Sequence, residues 1–182
     1  MYAYQKQSKQ PSIMGMFVTV GVILVVLMYA MMSVNTGDPL WFYPVFDAEP
    51  ASVTLLCYGE EVSVDPNSAE FEKLTEIFNQ NLSGYKNWDS LTMSELSWAD
   101  YQANDQFATL VMNYEDPVRV HSIYKHFSSV DTLVVPLDGR HAQTRAVFGM
   151  SNDQPGAGSL HMETIDPLID YVSVTGLCSI AE

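Results

Sequence analysis

The sequence lacks charge over one long stretch near its N-terminus. The 22 residues from Ile13 to Val34 contain no Asp, Glu, Lys or Arg, and no proline. A helix of this length measures about 33 Å at roughly 1.5 Å per residue, and the hydrocarbon core of a bilayer is about 30 Å thick. Because a helix satisfies its own backbone hydrogen bonds in lipid, the sequence predicts a transmembrane helix over residues 13–34.

A signal-peptide cleavage site is also lacking. The apolar run exceeds the roughly 7–15 residues of a signal-peptide core, and no small-x-small pattern follows it. Tyr29, Met31 and Met32 occupy the positions where such a site would lie. The sequence therefore favours a retained membrane anchor over a cleaved leader.

Basic residues are scarce and unevenly placed. Lys6 and Lys9 precede the apolar run, whereas all 22 acidic residues follow it, beginning at Asp38. Six Lys and Arg accompany them, which gives the part after the run a net charge of −16. The positive-inside rule predicts a cytoplasmic N-terminus and a periplasmic or extracellular domain at the plasma (inner) membrane.

This acidity bears on the partners. Nucleic acid and anionic lipid headgroups would be repelled, so no nucleic-acid partner is expected. The acidity is typical of a surface that maintains solubility, and a basic protein partner is the alternative.

Only two cysteines are present, Cys57 and Cys178. A disulfide between them would suit an extracytoplasmic compartment and would close a loop of about 120 residues, which would stabilise the fold by about 3–5 kcal/mol. Two buried free thiols are the alternative, because a free cysteine packs as a small apolar side chain.

Motifs that carry chemistry are absent or incomplete. No G-x-S-x-G occurs, and the four histidines (His121, His126, His141 and His161) have no recognisable zinc spacing. Residues 65–76 fail the calcium-loop pattern at four positions, and Gly156 and Gly158 form a lone G-x-G in a loop-like segment. We therefore expect no enzyme activity, no metal and no cofactor.

The chain is predicted to have four parts. A cytoplasmic tail (1–12) precedes the transmembrane helix (13–34), and an aromatic and proline-rich linker (35–50) leads to one extracytoplasmic domain (51–182). Four aromatic residues of the linker predict either an interfacial belt or a docking surface for a neighbouring subunit: Trp41, Phe42, Tyr43 and Phe46.

The domain is predicted to be α+β, with an antiparallel sheet and two or three helices on one face. The predicted strands are 52–58, 61–64, 107–114, 118–124, 131–137 and 141–150, with a turn at 115–117. The predicted helices begin near Asn67, Ser94 and Asp166. Pro136 favours an edge position for its strand, and residues 151–159 are predicted to be a flexible loop.

Two functional hypotheses follow. The first is a non-catalytic, single-pass accessory or assembly subunit of a larger membrane protein complex, with respiratory or photosynthetic electron transfer as one setting; its partners are the lipid bilayer and other membrane protein subunits. The second is an anchored sensor or regulator that binds a small ligand or a cell-envelope component, in a pocket lined by Trp88, Trp98 and Tyr101.

Overall fold

The computed structural model describes residues 12–84, 86–103 and 105–180. The predicted cytoplasmic tail, with Lys6 and Lys9, lies outside the described residues except for Ser12. The described chain is α+β, with four α-helices and one antiparallel sheet. This confirms the predicted class and sheet type.

The first helix, α1, spans Ile13–Thr36 and is 24 residues long. It is apolar and long enough to cross a bilayer, and its most apolar stretch has no buried residue. It ends two residues beyond the predicted boundary at Val34, because Gly37 in the left-handed conformation (φ 70°) terminates it.

Seven strands of the described chain form the sheet, in the order β2-β1-β4-β5-β6-β7-β3. Every neighbouring pair is antiparallel. In chain order the strands are β1 (Ser52–Cys57), β2 (Glu60–Val64), β3 (Asn87–Asp89), β4 (Ala108–Val118), β5 (Val130–Asp138), β6 (Ala146–Ser151) and β7 (Gln154–His161).

Helices cover both faces of the sheet, so the expectation of helices on one face is wrong. Helices α2 (Ala69–Leu82) and α4 (Asp166–Thr175) pack on the face of the larger core cluster. Helix α3 (Glu95–Ala103) covers the other face, where Tyr101 packs with Val134 and Phe148. Successive strand residues point to opposite faces, and the strands' apolar runs supply both clusters.

The N-cap of helix α2 lies one residue after Asn67, near which the sequence predicts the helix to begin. Ser68, rather than Asn67, is the N-cap, and its hydroxyl accepts a hydrogen bond from the Phe71 N–H at 3.1 Å. Asn67 belongs to the turn before the helix, where its N–H donates a hydrogen bond to the Asp65 carboxylate. Both residues favour a helix start, and the Asp65 turn decides between them.

The predicted turn at 115–117 and strand at 118–124 are wrong. Strand β4 runs through Pro117 to Val118, with a register irregularity between Asn113 and Val118 that accommodates the proline. Residues 119–124 form a loop instead of a strand, followed by a short 3₁₀ turn at Lys125–Phe127.

Two further strand predictions need correction. Strand β5 is central, although it contains Pro136; the proline is tolerated because pairing with β6 ends at Val134 and the β4 register shifts beside it. The predicted loop 151–159 is largely strand β7. Asn152 and Asp153, both with positive φ, make the tight turn into that strand.

Cys57 at the end of β1 and Cys178 after α4 form a disulfide, with their Cα atoms 5.7 Å apart. The bond joins residues 121 positions apart. It is typical of a protein in an oxidising compartment.

Candidate functional site

The chain turns sharply where α1 meets the domain. The Thr36 hydroxyl donates to the Met32 carbonyl oxygen at 2.9 Å and accepts a hydrogen bond from the Asp38 N–H at 3.2 Å. The Asp38 carboxylate then accepts a hydrogen bond from the Leu40 N–H at 2.8 Å. These local bonds fix the direction in which the chain leaves the helix.

Asp38 is the centre of a buried ionic contact, with only 2 % of its surface exposed. Its Oδ2 lies 2.8 Å from Nδ1 of His121, and its Oδ1 lies 3.7 Å from the guanidinium of Arg119. Buried carboxylates are stable only when they are paired and hydrogen-bonded. The contact therefore ties the end of α1 to the 119–124 loop of the domain.

The segment after Asp38 folds back beside α1. The Tyr29 hydroxyl donates to the Pro39 carbonyl oxygen at 3.0 Å, and the rings of Tyr29 and Phe42 are 6.3 Å apart, edge to face. Phe42 in turn contacts the ring of Trp41. The aromatic residues thus lie alongside the last turns of the apolar helix.

The four predicted interface residues have different environments. Phe42 and Tyr43 are exposed and Trp41 is half-buried. Phe46, by contrast, is only 4 % exposed and packs against Phe78 in the larger core cluster. Phe46 is therefore a core residue, and the exposed aromatic surface consists of Trp41, Phe42 and Tyr43.

The linker is held to the domain after the aromatic segment. The Phe46 N–H donates to the Ser83 hydroxyl at 3.0 Å, and the Gly84 N–H donates to the Pro44 carbonyl oxygen at 2.9 Å. The linker is thus bound to the end of α2 rather than being a free tether.

A cavity of about 360 Å³ opens between this segment and the domain. Its walls combine aromatic, aliphatic and basic side chains, and we refer to it as the base cavity. The lining residues used below are Trp41, Phe42, Tyr43, Lys86, His121 and Ile123.

Lys86 is the fixed cation of the base cavity. Its Nζ donates to the carbonyl oxygens of Pro44 at 2.9 Å and Gly84 at 3.2 Å. Partial burial lowers the pKa of the Lys86 ammonium below its ordinary value. On the other side of the cavity, the His121 ring contacts Tyr43 at 5.6 Å.

A second polar cluster lies under α3. The Tyr101 hydroxyl donates to the Arg140 carbonyl oxygen at 2.7 Å and lies 2.8 Å from Nδ1 of His141. Burial raises the pKa of Tyr101 to about 12. Burial and the neighbouring Arg140 guanidinium lower the pKa of His141.

The histidines do not gather around one point. His121 lies against Asp38, His141 against Tyr101, and His161 has its Nε2 3.3 Å from Asp89. Within the described residues, no group of three or more His, Cys, Asp or Glu could hold a metal ion.

The aromatic residues predicted to share a ligand pocket lie apart. Trp88 pairs with Leu160 on the face of the larger core and stacks on Tyr124 at 5.4 Å. Trp98 and Tyr101 pack against the cluster on the opposite face. The sheet therefore separates Trp88 from the other two.

Sequence reasoning missed the residues that meet the linker from the domain, Lys86, Arg119 and His121. No local pattern joins Asp38 to His121, which lies 83 residues further along the chain. One local signal was available. An acidic residue directly after the Gly37 helix end, and before Pro39, is typical of a turn in which the carboxylate accepts a hydrogen bond from the backbone N–H two residues on.

Comparison of the chain with protein-family models, with curated proteins and with solved structures finds no match.

Proposed function

We propose that this protein is a single-pass, membrane-anchored accessory or assembly subunit of a larger membrane protein complex and that it catalyses no reaction itself. The observation that carries the proposal is the Asp38–His121 contact, which joins the anchor to the domain. A subunit that covers a complex must hold its domain in a defined orientation relative to its anchor. The Asp38–His121 contact fixes that orientation. An electron-transfer complex remains a predicted setting.

The surface of α1 also supports this proposal. From Ile13 to Met31 the helix has exposed side chains on every side. In a bilayer that surface contacts lipid or another chain. Met14, Met16, Met28 and Met31 lie on it, and flexible methionine side chains adapt to irregular neighbouring surfaces.

The proposed topology places the N-terminus in the cytoplasm and the domain on the other side. Lys6 and Lys9 favour it through the positive-inside rule, and the disulfide supports it because disulfides are typical of oxidising compartments. Retention of α1 as an anchor is favoured by Thr36 and Asp38, which are buried at the join. Cleavage near this point would break that structure.

The test is extraction of the tagged full-length chain from its own membranes in a mild detergent, followed by sizing and mass spectrometry. We expect a large assembly with defined partner subunits. The double variant Trp41→Ala, Phe42→Ala should release the chain from that assembly, since both side chains lie on the proposed contact surface.

A control variant removes two exposed apolar side chains elsewhere on the domain. Leu96 and Val174 are large apolar side chains of the domain that are 85 % and 86 % exposed. The double variant Leu96→Ala, Val174→Ala should co-purify as the unchanged chain does. Unchanged co-purification of the Trp41 and Phe42 variant, or a lone monomer from the native membrane, would contradict the proposal.

An anchored sensor or regulator is the second candidate, and the base cavity favours it. At about 360 Å³ it falls within the range of small-ligand sites, roughly 300–1,000 Å³. Its walls are the linker aromatics rather than the predicted Trp88, Trp98 and Tyr101. A lone monomer in the extraction experiment would favour this candidate.

A further inference from the structure

The base cavity lies at the height where a bilayer would end. About 20 helical residues cross the hydrocarbon core, which for α1 means Ile13 to about Met32. Met32 is also where side-chain burial begins in α1. Tyr29 and Phe42, whose rings touch just before this point, occupy the level at which interfacial aromatic residues are enriched.

The cavity combines an apolar lip with a fixed cation. Phe42 is 58 % exposed and Ile123 is 43 % exposed, although a large apolar side chain gains nothing from contact with water. Lys86 has two of its three ammonium donors on backbone carbonyl oxygens, which leaves one donor for a ligand. His121 is held through Nδ1, which leaves Nε2 for another partner.

Half of the Lys and Arg residues after α1 lie in the cavity lining or on the segment next to it. The chain after α1 has a net charge of −16, yet three of its six Lys and Arg lie at Lys86 or in the loop and 3₁₀ turn that follow β4, at Arg119 and Lys125. No Asp or Glu is among the described residues that line the cavity, and nearby Asp38 has His121 and Arg119 as partners. Overall acidity predicts repulsion of anionic lipid, but the local charge at the cavity is positive.

We propose that the base cavity binds the headgroup of an anionic phospholipid from the leaflet on the domain's side of the membrane. Lys86 and His121 contact the phosphodiester, and Phe42 and Ile123 contact the first carbons of the acyl chains. A lipid matches this site because it alone presents an anion and an apolar chain at the level of the bilayer surface. This inference rests on α1 as a retained span, but not on the existence of a partner complex.

The experiment measures lipid binding to the purified full-length chain in mild detergent by native mass spectrometry, with phosphatidylglycerol and phosphatidylcholine titrated separately. We expect phosphatidylglycerol to bind about tenfold more tightly, because both lipids offer the phosphodiester but only phosphatidylcholine adds a choline cation, which the Lys86 ammonium repels. Lys86→Gln should remove that preference, and Lys86→Arg should keep most of it. The matched control Lys73→Gln, which removes an exposed lysine paired with Glu76 on α2, should bind as the unchanged chain does.

A second variant protects the test against a folding defect at Lys86. Ile123→Glu places an acid on the exposed lip and should weaken phosphatidylglycerol binding about tenfold, while the unfolding temperature stays the same. Inorganic phosphate in millimolar excess should not displace the lipid. Equal binding of both lipids, a Lys86→Gln variant that keeps the preference, or full displacement by phosphate would each overturn the lipid assignment. None of these outcomes depends on co-purifying subunits.

Discussion

Replacing Asp38 should destabilise the join between the anchor and the domain. The carboxylate accepts hydrogen bonds from the Leu40 N–H and from the His121 ring, both at 2.8 Å, and is almost fully buried. Asp38→Ala removes the carboxylate and leaves the Leu40 N–H and the His121 ring N–H without their acceptor. Asp38→Asn keeps an oxygen for the Leu40 N–H and places an amide NH2 against Nδ1 of His121, which can accept a hydrogen bond from it in the other neutral tautomer.

The size of the effect follows from these contacts. A buried donor left without a partner costs about 1–3 kcal/mol, and Leu40 lies near enough to solvent to regain water. We therefore expect Asp38→Ala to lower the free energy of unfolding by roughly 2–4 kcal/mol and Asp38→Asn by about 1 kcal/mol. The Arg119 contact adds little, because it is long and Arg119 is exposed.

Thermal unfolding of the full-length chain in mild detergent, followed by tryptophan fluorescence, measures this loss. One kcal/mol corresponds to about 2–4 °C for a protein of this size, so Asp38→Ala should lower Tm by roughly 4–16 °C and Asp38→Asn by roughly 2–4 °C. Asp170→Ala, at an exposed carboxylate on α4, is the matched control and should change Tm little.

A distance measurement separates loosening of the join from general instability. Spin labels at Leu24→Cys in α1 and Leu96→Cys in α3 should give a narrow distance distribution in the unchanged chain and a broad one in Asp38→Ala. Equal Tm values for the two Asp38 variants and the control, or an unchanged distance distribution, would refute the reasoning.

Three further predictions concern the domain itself. Reducing the Cys57–Cys178 bond should lower the free energy of unfolding by about 3–5 kcal/mol, because the bond joins residues 121 positions apart; unfolding with and without reductant measures this, and equal stability would contradict it. Tyr101→Phe removes a hydroxyl that bonds the Arg140 carbonyl oxygen and His141, and should cost about 1–2 kcal/mol in urea unfolding. Because the pKa of His141 is lowered in the fold, the unfolded chain binds more protons below about pH 6.5; stability should fall as pH decreases from 7 toward 5, and His141→Gln should flatten that slope.

The parts of the fold that could be predicted are those with a strong local signal. The apolar run fixed the start of α1 at Ile13, and Asp166, Pro167 and Gly176 marked the two ends of α4. The α2 stripe of Phe71, Leu74, Phe78 and Leu82 is buried as its spacing indicates. In each case helical periodicity and terminal residues agree.

The errors arose where tertiary contacts override local preference. Pro117 and Pro136 both lie inside strands, because register shifts in β4 and the early end of β6 pairing remove the need for their N–H groups. The alternation from Val118 to Tyr124 indicates a strand, yet this segment is a loop whose His121 binds Asp38. Short β3 has no pattern of its own and is a strand only because β7 pairs with it.

Only one half of the candidate site could be predicted from the sequence. The linker aromatics Trp41, Phe42 and Tyr43 are adjacent in the sequence, so their clustering was visible. Lys86 and His121 reach them from distant segments, and their position depends on how the sheet and α2 place those segments. A single sequence offers no signal for such long-range contacts.

The fixed join between α1 and the domain sets how the whole anchor helix is rotated about its own axis. Each residue of an α-helix advances the direction of its side chain by about 100°. Thr36 and Asp38 fix the last turn of α1 to the domain. The direction in which every α1 side chain points, around the helix axis, is therefore set relative to the sheet. Inserting one residue in the middle of α1 would rotate the N-terminal half of the helix by about 100° relative to the domain. Inserting seven would return it to within about 20° of its original facing.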